Sequence, residues 1–145
     1  MPLGRASGWV PKPWADPAVA TGADHFLPGI GVDPTTSGSS AHLAIAYGFY
    51  PSASCTASTC QLSIGMISSS DGGTTWSTAE LISPHSMLLS WLASTNQGPM
   101  IGDYLSVSFV NGAAVTMVPW AVSPLNGSFR EWMLGVTRAV PAAAT

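Results

Sequence analysis

Residues 69–76, with the sequence Ser-Ser-Asp-Gly-Gly-Thr-Thr-Trp, constrain the fold of this chain more than any other segment. The carboxylate of Asp71 can accept hydrogen bonds from turn amides, and the two glycines that follow can adopt positive φ. Thr75 favours a return to β geometry, and we expect Trp76 to bury its ring between sheets. The segment therefore predicts a tight turn between antiparallel strands. An ordinary Asp-Gly-Gly hairpin beside an aromatic residue is the alternative.

Short apolar segments separated by Gly, Pro, Ser and Asn clusters surround this turn, and none has a convincing 3.6-residue period. The predicted strands are residues 29–32, 42–50, 61–68, 76–82, 104–110, 113–120 and 129–137. The intervening residues 51–59, 84–102 and 121–128 are predicted to be long loops. The same order of strands starts again after about 75 residues, although the second unit lacks a fourth strand. The predicted fold class is all-β.

Composition limits the classes of partner. Charged residues make up 8% of the chain and hydrophobic residues 46%, and six Trp, four Phe and three Tyr argue against disorder. A net charge of -3 with four Lys plus Arg offers no basic stripe for nucleic acid. The apolar runs break within about ten residues, well short of the roughly 20 that span a bilayer, so no membrane partner is expected.

Cys55 and Cys60 are separated by four residues in a Ser/Thr-rich segment, which fits a small local disulfide loop. Two free thiols are the alternative. The first residues carry no export signal, which taken literally predicts a cytosolic protein. The extracellular-looking composition instead favours a truncated chain of a secreted protein.

Residues 69–76 match the Asp box, Ser-x-Asp-x-Gly-x-Thr-Trp, at every defined position. The defined residues are Ser69, Asp71, Gly73, Thr75 and Trp76. Together with residues 32–34, 55–62, 90–92 and 100–104, the motif resembles the C-terminal portion of bacterial secreted sialidase-like (Asp-box, or BNR, repeat) proteins. The resemblance implies a six-bladed β-propeller of antiparallel four-stranded blades, of which this chain would supply about two. It also implies secretion, hydrolysis of terminal sialic acids in the best-known members, and a structural role for the Asp box.

Three regions are predicted on this basis. Residues 1–24 form a Pro-rich linker or the end of a preceding blade, residues 25–83 the Asp-box blade, and residues 84–145 a second, incomplete blade with a C-terminal tail. The expected partners are the remaining blades of the parent propeller and a glycan or polysaccharide. Two blades alone are expected to leave both outer faces exposed and to aggregate or associate.

Strand alternation places the predicted ligand face opposite the Asp71 turn. Asp103 and Tyr104, which precede one inner strand, are weak catalytic candidates. Asp24 and His25, which precede the other, are weak ligand-binding candidates. The alternative is that Asp103 caps the strand through an Asx-type hydrogen bond while Tyr104 packs.

The resemblance also implies an arginine triad, an acid Asp and a Tyr activated by Glu. This chain has only Arg5, Arg130 and Arg138. The last two flank one predicted strand, about 26 Å apart at ~3.3 Å per residue, and cannot clamp one carboxylate. Catalysis by this segment alone is therefore not expected.

His42 and His85 lack a carboxylate or second His at metal-like spacing, so neither a metal nor a cofactor is expected. Asn126 begins a glycosylation sequon that would matter only in a eukaryotic secretory pathway. Two functions stay open. One is a glycan-directed, sialidase-type glycoside hydrolase, and the other is a non-catalytic propeller module that binds polysaccharide or protein.

Overall fold

The computed structural model describes residues 24–52, 54–56 and 58–141, which form antiparallel β-sheets without an α-helix in those ranges. The all-β prediction is confirmed. The predicted linker, apart from Asp24, and Arg5 lie outside the described residues. The three-region division is not tested and stays a prediction.

The first sheet has the order β1 (His25–Val32), β2 (Leu43–Phe49), β3 (Gln61–Ser69) and β4 (Glu80–Leu81), and the short β5 (Met87–Leu88) pairs with the start of β3. β1 begins earlier than predicted because the strand continues past Pro28 through a register shift between Phe26 and Gly29. Leu27 has a φ of 51° there. A proline lacks the amide that a ladder needs, so an irregularity at this point is the expected accommodation.

The predicted fourth strand, residues 76–82, is largely wrong, because only Glu80–Leu81 forms regular pairs with β3. Side chains replace part of the ladder on either side. The Ser68 amide donates to Ser77 Oγ at 3.0 Å, and the Ile64 amide donates to Ser83 Oγ at 3.2 Å. The segment stays beside β3 while serine hydroxyls interrupt its backbone pairing.

The second sheet has the order β10-β9-β8, with β8 at Ser106–Val110, β9 at Ala113–Leu125 and β10 at Ser128–Ala139. Both of its turns are Asn-Gly pairs with positive φ at each residue, at 111–112 and 126–127. This is the geometry of tight hairpins that follow the strand twist. The predicted loop 121–128 is therefore wrong, since β9 and β10 run through it as one hairpin.

The predicted loop 84–102 is also more ordered than expected. After β5, a short 3-10 turn (Leu89–Trp91) leads into a two-stranded hairpin of β6 (Ala93–Thr95) and β7 (Gly98–Met100). The turn lies against β9, which brings this segment over the second sheet.

The main core lies between the two sheets. Its buried members include Ala44, Ala46, Leu62, Ile64 and Met66 from the first sheet and Val107, Ala114, Val118, Ala121 and Val136 from the second. β1 and β8 lie side by side, and Gly29 and Gly31 of β1 face the backbone at Leu105 and Val107, respectively. Two residues further along β1, the contact also moves two residues further along the second chain segment, so β1 and β8 run parallel. A Cβ at Gly31 would lie 2.6 Å from the Val107 carbonyl oxygen, which is why the contact requires glycine.

A second cluster covers the other side of the first sheet. Ile45, Tyr47 and Ile67 are buried there, with Trp76 packed against them. Residues 44–48 and 62–69 are thus buried on both faces of their strands. The expectation that both outer faces would be exposed is wrong for β2 and β3, whereas the second sheet leaves Val110, Met117 and Met133 exposed.

Candidate functional site

The Asp-box segment forms a turn in which the side chains of Ser69, Asp71 and Thr75 are all hydrogen-bonded. Asp71 Oδ1 accepts hydrogen bonds from the Thr75 amide and from Ser69 Oγ, both at 2.8 Å, and Oδ2 accepts from Thr75 Oγ1 at 2.5 Å. Ser69 Oγ accepts in turn from the Gly73 amide at 2.9 Å. These bonds fix the backbone of the turn, so the side chains that form them have a structural role.

The hydrogen bonds from the Thr75 side chain and amide lower the pKa of Asp71 from 3.8 to about 2, with a smaller contribution from Ser69. The turn also docks on the β1–β2 connection, because the Gly72 amide donates to the Ala41 carbonyl at 3.0 Å. Trp76 is half-buried on the outer side of the first sheet. The expectation that its ring would lie between sheets is therefore wrong for the two sheets described.

Asp103 and Tyr104 lie at the opposite end of the sheets from Asp71, just before β8. Both are exposed, and Tyr104 keeps 89% of its surface in solvent. Within the described residues no hydrogen bond holds either side chain, so the structure shows neither an Asx-type cap at Asp103 nor a packed Tyr104. Nothing in this arrangement orients the pair for catalysis.

Asp24 and His25 lie at the same end, because β1 and β8 are parallel. The Asp24 carbonyl accepts from the Tyr50 amide at 3.1 Å, and its side chain is exposed. The His25 ring stacks on Phe49 with centroids 5.9 Å apart and is tilted against Tyr47 at 5.3 Å. His25 is thus part of an aromatic group at the start of the first sheet.

A narrow apolar crevice separates the starts of β1 and β8. Its lining includes Phe26, Leu27, Gly102, Leu105 and Pro119. Its volume of about 10 Å³ is room for roughly one water molecule, so it cannot enclose a sugar ring.

The two described arginines, both on β10, are bound to groups on β9 and β4. Arg130 Nε and Nη2 donate to the Ser123 carbonyl at 2.8 and 2.6 Å. Arg138 Nε forms an ion pair with Glu80 Oε2 at 3.0 Å. Eight residues of one strand separate the two guanidinium groups, and each has a structural partner, so they form no anion clamp.

Asp33 is a buried carboxylate in the β1–β2 connection. Its Oδ1 accepts from the Thr35 amide at 3.0 Å and from Thr35 Oγ1 at 2.7 Å, and these bonds lower its pKa. His42 Nδ1 lies 3.9 Å from Asp33 Oδ2. Residues 24–52, 54–56 and 58–141 contain no group of three His, Cys, Asp or Glu side chains that could hold a metal ion.

Sequence reasoning missed an aromatic cluster between residues 85–91, which lie on either side of and within β5, and the second sheet; we call it the aromatic ridge. It consists of His85, Trp91, Trp120 and Trp132. The His85 ring lies edge-on to Trp91 at 5.8 Å and to Trp120 at 5.0 Å, and Trp120 lies 5.6 Å from Trp132. Trp132 is 48% exposed, and the buried Nε1 of Trp120 has no hydrogen-bond partner.

Only part of the ridge had a signal in the sequence. The Asn-Gly turn at 126–127 predicts a β9–β10 hairpin, but regular pairing from that turn places Trp132 opposite Ala121. A register shift between Ser128 and Arg130 places it opposite Trp120 instead. The contacts of His85 and Trp91 depend on how residues 85–91 fold over the sheet.

Cys55 and Cys60 form a disulfide, with Cα atoms 4.8 Å apart, as the spacing predicts. The bond closes the β2–β3 connection immediately before β3. No helix in the described part of the chain is long and apolar enough to cross a membrane.

These features define an all-β protein of antiparallel sheets with a disulfide-closed loop and an Asp-box turn held by side-chain hydrogen bonds. Scans against family models, curated proteins and solved structures find no match to the chain.

Proposed function

We propose that this chain is part of an extracellular, sialidase-like Asp-box β-propeller directed at glycans, to which it supplies about two blades. The observation that carries the proposal is the Asp-box turn, which joins β3 to the segment containing β4 and in which the side chains of Ser69, Asp71 and Thr75 are hydrogen-bonded. A turn of this kind is what the motif's resemblance to sialidase-like repeats implies.

The arrangement of the sheets supports the propeller. Each sheet is a meander that starts from one strand, β1 or β8, and these two first strands lie parallel and in contact. Neighbouring blades of a propeller are arranged in this way around the central channel. The disulfide and the low content of charged residues are in keeping with an extracellular protein.

Within the parent protein, we assign this segment to glycan binding and not to hydrolysis. Arg130 and Arg138 are held by the Ser123 carbonyl and by Glu80, which leaves no pair of guanidinium groups to clamp a sialic acid carboxylate. Asp103 is exposed, and no hydrogen bond within the described residues orients its carboxylate.

Two experiments test the proposal. Incubation of the chain with a fluorogenic sialoside should give no turnover, and turnover that Asp103→Ala abolishes would overturn the binding role. The flanking coding sequence should contain further Asp boxes and an export signal. If it contains neither, the propeller assignment fails.

A further inference from the structure

The aromatic ridge lies on the side of β9 and β10 that carries core residues, at a point where the core no longer covers it. Val118, Trp120, Leu134, Trp132 and Val136 share this side, because residues two apart on a strand face the same way. Val118 and Val136 are buried, whereas Trp132 leaves about half of its indole in solvent. A tryptophan normally buries most of its large apolar surface, so an indole held half-open is available for a ligand.

Strand pairing and polar contacts hold the ridge in place. Trp132 is paired directly with Trp120 across the hairpin. On the same side of β10, Arg130 is fixed by two hydrogen bonds to the Ser123 carbonyl. Glu131 Oε1 accepts from the Ala93 amide at 2.7 Å, which ties β10 to the hairpin of β6 and β7. A site on paired strands is positioned more firmly than one on loops.

We propose that the aromatic ridge is a saccharide-binding surface, on which the C–H face of a pyranose ring stacks on the Trp132 indole. The negative face of an indole attracts the weakly positive C–H groups of a sugar, and the guanidinium group of Arg130, which lies two residues before Trp132 on the same side of β10, can meet sugar hydroxyls. The choice of a glycan as the ligand class rests on the proposed function; the location of the surface does not.

The size and charge of the ridge also favour a saccharide. A stable protein interface covers about 800 Å² on each partner, whereas the ridge offers part of one indole with a polar border. The exposed Met117 and Met133 point to the opposite side of the second sheet and cannot enlarge it. One arginine tied to a carbonyl, in a chain of net charge -3, does not attract a polynucleotide.

The test uses the indole N–H signals of the whole chain in two-dimensional NMR, assigned with single Trp→Phe variants. Cellohexaose, chitohexaose and 3′-sialyllactose are titrated separately to about 10 mM, because single-surface binding is weak. At least one probe should shift the signals of Trp120 and Trp132 and leave that of Trp76 in place. Trp120 Nε1 is a sensitive reporter, since it has no acceptor and lies beside Trp132.

Substitutions then assign the surface. Trp132→Ala should weaken binding of the active probe at least tenfold, while Trp132→Tyr keeps an aromatic face and should lose less than threefold. Met133→Ala is the matched control, because Met133 is 58% exposed but lies on the other side of β10. If Trp132→Ala does not fold, the comparison of Trp132→Tyr with Trp132→Ser by the same titration replaces it. Equal losses in Met133→Ala and Trp132→Ala would overturn the proposal, as would the absence of any ridge shift.

The experiment distinguishes an incorrect location of the binding surface from an incorrect proposed function. If a probe instead shifts the backbone amide signals of His25 or Tyr104 in the same spectra, and Asp103→Ala weakens its binding, glycan binding stands and the ridge is wrong. If no probe binds, the ridge is also wrong, and further Asp boxes in the flanking sequence still decide the propeller assignment.

Discussion

At the scale of single residues, Asp71 gives the Asp-box turn a pH dependence. Its pKa in the folded chain is about 2, below the ordinary 3.8, so the folded state holds the ionised form more strongly than the unfolded chain does. This contribution to stability is complete above about pH 4 to 5 and is lost as the pH falls towards 2. The melting temperature should therefore fall between pH 5 and pH 2 by a larger amount in the natural chain than in Asp71→Asn.

Thermal melts followed by circular dichroism measure this difference. Asp33, whose pKa is also lowered, is present in both proteins and cancels in the comparison. Parallel pH profiles for the two proteins would show that Asp71 does not contribute through its charge.

Gly31 is one of the two glycines that set the approach of the two sheets. Gly31→Ala places a Cβ 2.6 Å from the Val107 carbonyl oxygen, and because backbone cannot yield cheaply, the substitution should lower the free energy of unfolding by about 1–3 kcal/mol. Gly135→Ala is the control, since its nearest neighbour is the flexible Met117 side chain at 3.4 Å. Urea denaturation compares them, and equal stability of the two variants would contradict the close contact between β1 and β8.

At the scale of elements, the disulfide restrains the β2–β3 connection in the unfolded chain. Closing a loop of this size removes chain entropy worth about 2 kcal/mol at 25 °C. Replacing both cysteines by serine should lower the free energy of unfolding by that amount in urea titrations. A reducing agent should destabilise the natural chain equally and leave the double variant unchanged. A natural chain that is insensitive to reduction would refute this role.

The length of β9 shows why some elements escaped prediction. Pro119 lies inside the predicted strand 113–120, and Pro124 argues against extending that strand further, because proline cannot donate to a ladder. The pairing with β8, however, ends at Met117, so both prolines lie where β9 has only β10 as a neighbour. A strand that is central over its first part and an edge over its second tolerates them, and nothing local in the sequence says where that change occurs.

At the scale of the whole molecule, Val110, Met117 and Met133 lie on the outer face of the second sheet, and all three are more than 40% exposed. The chain alone should therefore associate in size-exclusion chromatography, because little charge opposes contact between such faces. Met117→Lys with Met133→Lys should shift it towards monomer. Asn96→Lys with Gln97→Lys, in the exposed β6–β7 turn, adds the same charge elsewhere and should not. A sharp monomer peak for the natural chain would contradict this prediction, because it would show that the outer face of the second sheet does not drive association.

The sequence by itself determined the features whose partners are close along the chain. The Asp-box turn, the disulfide and most strands follow from contacts within about ten residues, where residue type limits the backbone directly. Asp103 and Tyr104 could be placed at one end of the sheets by strand alternation, but their exposure could not.

Only the tertiary structure decided the features that join distant segments. The Gly31–Val107 contact, the burial of both faces of β2 and β3, and the meeting of His85 and Trp91 with Trp120 depend on how sheets and connections pack. The pairing of Trp120 with Trp132 depends on one irregularity beside a turn. A shift of one residue changes which side chains meet across a strand pair, and its energy is settled by packing over the whole sheet and not by the residues at the shift.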